Sequence, residues 1–351
     1  MTGYWVVVVP VSNDPLANDF TLFYIAARIG IDHGWSHIYS FFLQLHLFLQ
    51  LRGMHAFNDG QRFIAPPPMA WLVAPLTVFE PSTAFDVWLA ISIVALVAAW
   101  WIAAPGAGLE RWIWLIAVFA WYPVLYALQY GQPAPLVLLA VVGCWALAER
   151  RRSYLAGVVL ALGTVLKPQL VLAVPLVLLV AGRWRIFGAW AVTAGLLAAL
   201  SLATLGAGGL ADYRSMLAEA QTLPNNRYFT LAYVLGPGTL SYIAQAAVLV
   251  AAAVGAYINR SASTGRLIAL GLVAGAFGAS YWHLQDFAVL MGAAWLHWRD
   301  NPPAWQRVWM AVTAVTMELA WPLTPLPLLV ASGVWLGLIC VPARSTSRMP
   351  A

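Results

Sequence analysis

Few side chains in this sequence are equipped for chemistry, and they stand beside long apolar runs. Asp19 opens the stretch Asn18–Ile29 (NDFTLFYIAARI), Gln132 sits in Tyr130-Gly131-Gln132-Pro133, and His283, Gln285 and Asp286 share Ser280–Phe287 (SYWHLQDF). Lys167 is the only lysine. It precedes Pro168 in the middle of an apolar stretch, with Arg150, Arg151 and Arg152 on one side and Arg183 and Arg185 on the other. A carboxylate at a bilayer surface can take the proton of an acceptor hydroxyl. A cation can stabilise the charge that grows on a departing phosphate, and apolar walls can hold a lipid chain. Asp19 as base and Lys167 as phosphate partner would divide group transfer from a lipid-linked phosphate in that way.

The elements that must position these residues are membrane helices. The chain is 62% apolar, 9% charged and 13% aromatic with 19 tryptophans, and its apolar residues form repeated runs of span length. An all-α, polytopic integral membrane protein with one domain over 1–351 follows. The net charge of +5 comes from loop arginines, so it does not point to nucleic acid. Cys144 and Cys340 lie in apolar helices as small hydrophobes, with no disulfide framework or zinc spacing. Eleven membrane helices are expected, at about 85–104, 111–130, 133–149, 154–166, 170–182, 186–206, 238–258, 266–281, 286–298, 305–321 and 326–341.

Charge orients them. Strict alternation places Arg111, Arg150, Arg151, Arg152, Arg183, Arg185, Arg260, Arg266, Arg299, Arg307, Arg344 and Arg348 on the cytoplasmic side. Arg28, Arg52, Arg62, Lys167, Arg214 and Arg227 fall outside, in longer loops, whereas only Glu110, Glu149 and Asp300 of the 13 acids are cytoplasmic. Because arginines flank both ends of the apolar stretch around Lys167, that segment enters the bilayer, turns at Lys167-Pro168 and returns. Two outer segments, 12–84 and about 207–237, remain. Within the first, Pro66-Pro67-Pro68 opens a helix ending near Glu80-Pro81 that is too short to span, and Trp35–Leu51 reads as a second interfacial helix. Tyr4–Val9 is apolar, but Pro10 and Asn13-Asp14 follow at once, so no helix crosses there.

Each residue has a plainer reading. Asp19 could cap the helix that follows, with Asp14 as the rival base. Lys167 could snorkel to the headgroups, His283 and Asp286 could pair with each other, and Gln132 could bridge helix ends. His33 and His37, at i and i+4, have metal-pair spacing but read better as interfacial polar residues. Arg28, Arg62, Arg214 and Arg227 can hold a phosphate or stay solvated. No metal or other cofactor is required.

The order of short motifs resembles a known family. Asp19-Phe20, Tyr24, Ala27-Arg28, Gly34 and Ile38-Tyr39 come first, then Pro66-Pro67 with Pro75-Leu76 and Gly131-Gln132. Ala156-Gly157 through Lys167, Arg183-Trp184-Arg185, and Ser280, His283 and Asp286 complete the series. Together they resemble the GT-C-fold, polyprenyl-phosphate-mannose-dependent glycosyltransferases of family 87, over about residues 18–300. The resemblance implies an inverting hexosyltransferase, a mannosyltransferase in the leading reading, with its active site on the extracytoplasmic face of the cell membrane. It would take sugar from a polyprenyl phosphate to a lipid or glycan hydroxyl. The family's first-loop aspartate carries onto Asp19 as base. Lys167, Arg28 and Arg227 would bind the donor phosphate, with Gln132, His283, Asp286 and Tyr24 lining the site. Three departures stand out: the helix before that aspartate is missing or truncated, Gln285 replaces the usual tyrosine, and Tyr281 replaces the usual proline. A transporter or lipid flippase is the alternative from another class. Transporters place charge near the midplane between related halves, whereas here the polar residues gather at one face.

Overall fold

A computed structural model describes Val7, residues 9–52 and residues 62–341. Arg344, Arg348 and most of Tyr4–Val9, which entered the topology argument, lie outside the described residues. The described residues are helices and connecting turns, without strands. The N-terminal segment holds α1 (Val9–Asn13), α2 (Phe20–His33), α3 (Phe41–Arg52) and α4 (Pro67–Val73), with short stretches of tighter helix at Trp35–His37 and Ala74–Val78. The bundle follows with α5 (Pro81–Ala103), α6 (Leu109–Ala120), α7 (Tyr122–Gln129), α8 (Ala134–Glu149), α9 (Ser153–Leu166), α10 (Ala173–Val180) and α11 (Trp184–Thr222). It closes with α12 (Leu231–Leu235), α13 (Thr239–Ile258), α14 (Thr264–Phe277), α15 (Leu290–Arg299), α16 (Ala304–Ala320) and α17 (Leu326–Cys340).

Helices α5, α11 and α13 are each long and apolar enough to cross a membrane, and the pair α6–α7, bent by 54° between Ala120 and Tyr122, makes a fourth if taken as one span. The bend falls where Pro123 removes an amide donor from the first turn of α7. The remaining apolar helices are shorter than the ~20 residues of a full crossing. The break at Lys167 falls where the arginine flanks require it: α9 stops at Leu166, a single tight turn covers Pro168–Leu170, and α10 runs back.

One expectation needs correcting. The helix expected over about 186–206 does not end there: α11 continues to Thr222 across a kink at Gly206 (φ +61°). Residues 207–222 are rich in Ala, Leu, Met and Glu, good helix formers that outweigh the glycines. Gly209 is required there for another reason: a Cβ would stand 2.4 Å from the Ser36 carbonyl oxygen, so the helix rests directly on the N-terminal segment.

Two apolar clusters build the molecule. One joins α2, α3, α4 and the start of α5 to Leu205 and Met216 of α11; the other fills the bundle from the end of α5 to α17. Leu166 packs against both. At the opposite end from Lys167, arginines stitch loops together: Arg183 donates to Ala262 O (2.9 Å), Arg266 to Val341 O (2.6 Å), and Arg299 to Ala103 O and Ala104 O (2.8 and 2.9 Å). The loops that charge alternation assigns to one side therefore meet at one end of the bundle.

Candidate active site

The site lies where the two clusters meet. Asp19 occupies the cap position of α2, yet its carboxylate makes no capping bond. Asn18 takes that duty, its Oδ1 accepting from Thr21 N at 3.0 Å, so the Asp19 side chain is free to face a cavity. The Asp19 and Phe20 amides both donate to Tyr130 O (3.1 and 3.2 Å), which ties the start of α2 to the α7–α8 turn. That turn needs Gly131: its φ is +60°, and a Cβ would stand 2.6 Å from Phe20 Cβ. Trp88 Nε1 holds the Gly131 carbonyl at 2.8 Å. Gln132 is thereby aimed inward and buried.

Gln132 Nε2 donates to Asp19 Oδ2, and Gln132 Oε1 accepts from Lys167 Nζ at 2.7 Å. Lys167 also forms an ion pair with Asp286 Oδ1, in which the lysine side chain is 11% exposed and the aspartate 0%. The amino group therefore does not snorkel. An ammonium carries three donors; two are engaged in this way, and the third remains for a ligand. Asp286 Oδ2 accepts from the His283 backbone N–H at 3.0 Å, so the His283–Asp286 pairing runs through the backbone and not the imidazole. The ring Nε2 instead meets Asn226 Oδ1 at 2.8 Å.

Asn226 sets the tautomer. Its Nδ2 donates to Ala220 O at 2.6 Å, which fixes Oδ1 as the acceptor facing His283, so the imidazole carries its proton on Nε2 and its Nδ1 accepts from Gln285 Nε2 at 3.5 Å. Burial holds His283 below its usual range; Asp286 opposes that shift and Lys167 adds to it, so the ring is neutral at pH 7. Burial raises Asp19 to about 6, against the lowering effects of the Lys167 charge and the Gln132 hydrogen bond and with a further rise from Asp286. Burial, with Asp286 and Asp19 close by, holds Tyr281 well above the usual phenol range, which keeps it an O–H donor. Its ring lies 4.7 Å from that of His283.

Asp19, Gln132, Lys167 and His283 line one cavity of ≈ 300 Å³, roofed by Tyr213, Met216 and Leu217 of α11, and Asp286 supports it from behind. Arg62 lines the same cavity and pairs with Glu219. Such an arrangement can hold an anion beside a cation and, a few ångströms away, accept a proton on a carboxylate. Tyr24, Arg28 and Arg227 are not brought to it. Tyr24 OH is spent on Phe79 O (3.0 Å), Arg28 pairs with Asp32 one turn on (3.1 Å), and Arg227 donates to Thr222 O (3.1 Å). The metal-pair spacing of His33 and His37 is broken at Gly34, where α2 ends. Asn226 and Glu219 carried no sequence signal beyond ordinary polar loop and helix positions.

No curated protein and no solved structure matches the chain. The family model of glycosyltransferase family 87 matches residues 63–280, more than half of the chain, a stretch that contains Gln132 and Lys167 but neither Asp19 nor Asp286. The chain belongs to glycosyltransferase family 87.

Proposed function

We propose that this membrane glycosyltransferase moves a hexose, mannose in the leading reading, from a polyprenyl-phosphate sugar to a hydroxyl of a lipid or glycan. The reaction takes place on the extracytoplasmic face of the cell membrane, with about eleven membrane helices arranged in the GT-C manner as one integral-membrane domain. The observation that carries the reading is the continuous line Asp19–Gln132–Lys167 along one cavity wall, backed by the buried Asp286. Asp19 takes the proton of the acceptor hydroxyl as that oxygen bonds to the anomeric carbon. The bond from that carbon to the phosphate oxygen breaks, and the phosphate leaves with the electron pair. One displacement inverts the anomeric centre. A positioned base contributes on the order of 10²–10⁴ to such a rate.

The third N–H of Lys167 and the guanidinium of Arg62 receive the leaving phosphate. Among the described residues, with all groups ionised, Asp19, Asp286 and Glu219 outnumber Lys167 and Arg62 by one charge. The proton that Asp19 gains cancels this excess while negative charge develops on the phosphate, so the two events assist each other. Gathering of the site's ionisable groups at the end of the bundle away from the arginine-tied loops favours this reading over a transporter, whose charges lie near the midplane.

Purified protein in proteoliposomes is expected to transfer radiolabelled mannose from polyprenyl-phosphate mannose into an extractable lipid or glycan, and not from a nucleotide sugar. Movement of lipid between leaflets without a new glycosidic bond would move the protein to the transporter class.

A further inference from the structure

Residues 279–283 form a non-helical link between α14 and the tight helical turns of Leu284–Val289 that carry Asp286. Trp282 N donates to Asn226 O at 3.2 Å, which pins the link to the connection between α11 and α12. His283 has extended backbone (φ −116°, ψ 167°), and successive side chains of an extended chain point to opposite sides. Trp282 accordingly turns into the core, fully buried with its ring 5.7 Å from that of Phe287. Tyr281 and His283 turn the other way and line the polar cavity.

The His283 ring is accounted for by its contacts with Asn226 and Gln285, but the Tyr281 hydroxyl has no such account. Other buried phenols in this protein end on carbonyls: Tyr24 OH donates to Phe79 O at 3.0 Å and Tyr39 OH to Ala65 O at 2.6 Å. Among the described residues the Tyr281 hydroxyl makes no such bond. A tyrosine largely out of water ordinarily finds a partner for its O–H, so this donor is left for what enters the cavity. Burial, with Asp286 and Asp19, keeps the phenol protonated.

Charge decides what the hydroxyl can hold. Asp19 and Asp286 both act on the phenol, and they end the chain of contacts Asp19–Gln132–Lys167–Asp286. A phosphate oxygen at this hydroxyl would face two carboxylates and be repelled. An uncharged sugar hydroxyl would not. The cavity lining divides in the same way: Lys167 and Arg62 supply charge for an anion, whereas Gln169, Gln221 and Ser280 are uncharged groups that hydrogen-bond.

We infer that Tyr281 is a specificity-determining residue whose hydroxyl donates to a hydroxyl of the donor's hexose. This rests on the donor class proposed above. Its ring lies 4.7 Å from that of His283, tilted by 52°, so the hydroxyl is presented from a fixed ring and little freedom is lost on binding. A hydrogen bond at such a position discriminates sharply, because a sugar without the matching hydroxyl leaves the phenol unpaired.

The test reads binding without an acceptor, which separates this contact from glycosyl transfer. The probes are polyprenyl-phosphate mannose, its monodeoxy forms at each ring position, and polyprenyl phosphate without sugar. Affinities are measured by native mass spectrometry on the full chain in nanodiscs, for wild type and Tyr281→Phe, with melting temperature as the check on folding. Phenylalanine keeps the ring against His283 and removes only the hydroxyl. Wild type is expected to bind one monodeoxy donor about tenfold more weakly than the mannose donor. In Tyr281→Phe that penalty is expected to vanish because the mannose donor itself has weakened about tenfold, while polyprenyl phosphate without sugar binds as before. Equal weakening of every probe, the sugarless one included, would place the hydroxyl on the phosphate and overturn the inference. So would a wild type indifferent to every deoxy position, deoxy penalties equal in both proteins, or no binding of the mannose donor by wild type. If the binding behaves as expected while wild type forms no glycosidic bond with acceptor present, the sugar contact stands and the transferase reading fails.

Discussion

Asp19 and Lys167 do not touch: Gln132 stands between them, its Nε2 donating to Asp19 Oδ2 while its Oε1 accepts from Lys167 Nζ at 2.7 Å. The base and the cation are therefore held at a fixed separation, with the amide as spacer. A direct ion pair would depress the carboxyl and make it a poor base. The spacer keeps the proposed proton acceptor apart from the proposed phosphate partner.

This arrangement predicts the acid limb of activity. Asp19 is a base only when deprotonated, and with its carboxyl raised to about 6, roughly nine-tenths of it is ready at pH 7. Transfer measured as kcat/KM is expected to fall as pH drops through about 6. Because the Gln132 hydrogen bond favours the charged carboxylate, Gln132→Leu is expected to move that limb to higher pH. A limb that stays in place in the variant would separate Gln132 from the titrating group.

Lys167 serves two ends at once, and the variants should separate them. Its partner Asp286 is fully buried, so Lys167→Ala leaves an uncompensated carboxylate and is expected to cost about 3–5 kcal/mol of stability. Adding Asp286→Asn removes that buried charge. The double variant is expected to melt close to wild type while its KM for the lipid donor stays raised by tenfold or more, an amount equal to about 1.4 kcal/mol. If donor use recovers along with stability, Lys167 is a structural partner and nothing more.

Much of this was legible in the sequence because membrane helices leave few choices. Arginines flanking an apolar run on both sides require a turn, and the turn fell at Lys167-Pro168. The Pro66–Pro68 opening of a short helix was equally plain, since proline suits a helix start and twelve residues (67–78) cannot span. Asp19, Gln132, Lys167, His283 and Asp286 stood out as polar residues at helix breaks, and they come together. Arg28 did not, because an acid four residues on along the same helix was a nearer partner than any phosphate. Asn226 was invisible: its role depends on a fold-back that brings Ala220 and His283, far apart in sequence, to its two amide atoms. The continuation of α11 past Gly206 was not legible locally, because it rests on a packing contact of Gly209 with Ser36, far away in sequence.

Asn226 offers a spectroscopic prediction. With Asn226 in place, ¹⁵N shifts of labelled histidine in micelles are expected to report His283 as neutral with its proton on Nε2. Asn226→Ala removes the acceptor and is expected to mix the tautomers and cost about 1 kcal/mol. Asn226→Asp sets a carboxylate beside the ring and is expected to raise the His283 pKa toward or above its usual range. A wild-type ring protonated on Nδ1 alone would contradict the assignment.

Gly131 tests the scaffold. Alanine there must adopt φ +60° and meets Phe20 Cβ at 2.6 Å, so Gly131→Ala is expected to destabilise the protein by about 2 kcal/mol or more. Gln132 and the Asp19 anchor on Tyr130 O move with that turn, so transfer should fall further than the melting temperature alone explains. Unchanged activity in a folded Gly131→Ala protein would mean that this turn does not set the site.

The most direct measurement concerns Asp19 itself. Asn fits the same space and can still accept from Gln132 Nε2 through its side-chain oxygen, so the network can persist while the base is lost. Initial rates of mannose transfer from polyprenyl-phosphate mannose are compared in proteoliposomes for wild type and Asp19→Asn, with matched melting temperatures as the control. The variant is expected to lose activity by roughly 10²–10⁴, the share a positioned base supplies, with little change in donor binding. A folded Asp19→Asn protein that transfers sugar at the wild-type rate would contradict the assignment of Asp19 as the catalytic base.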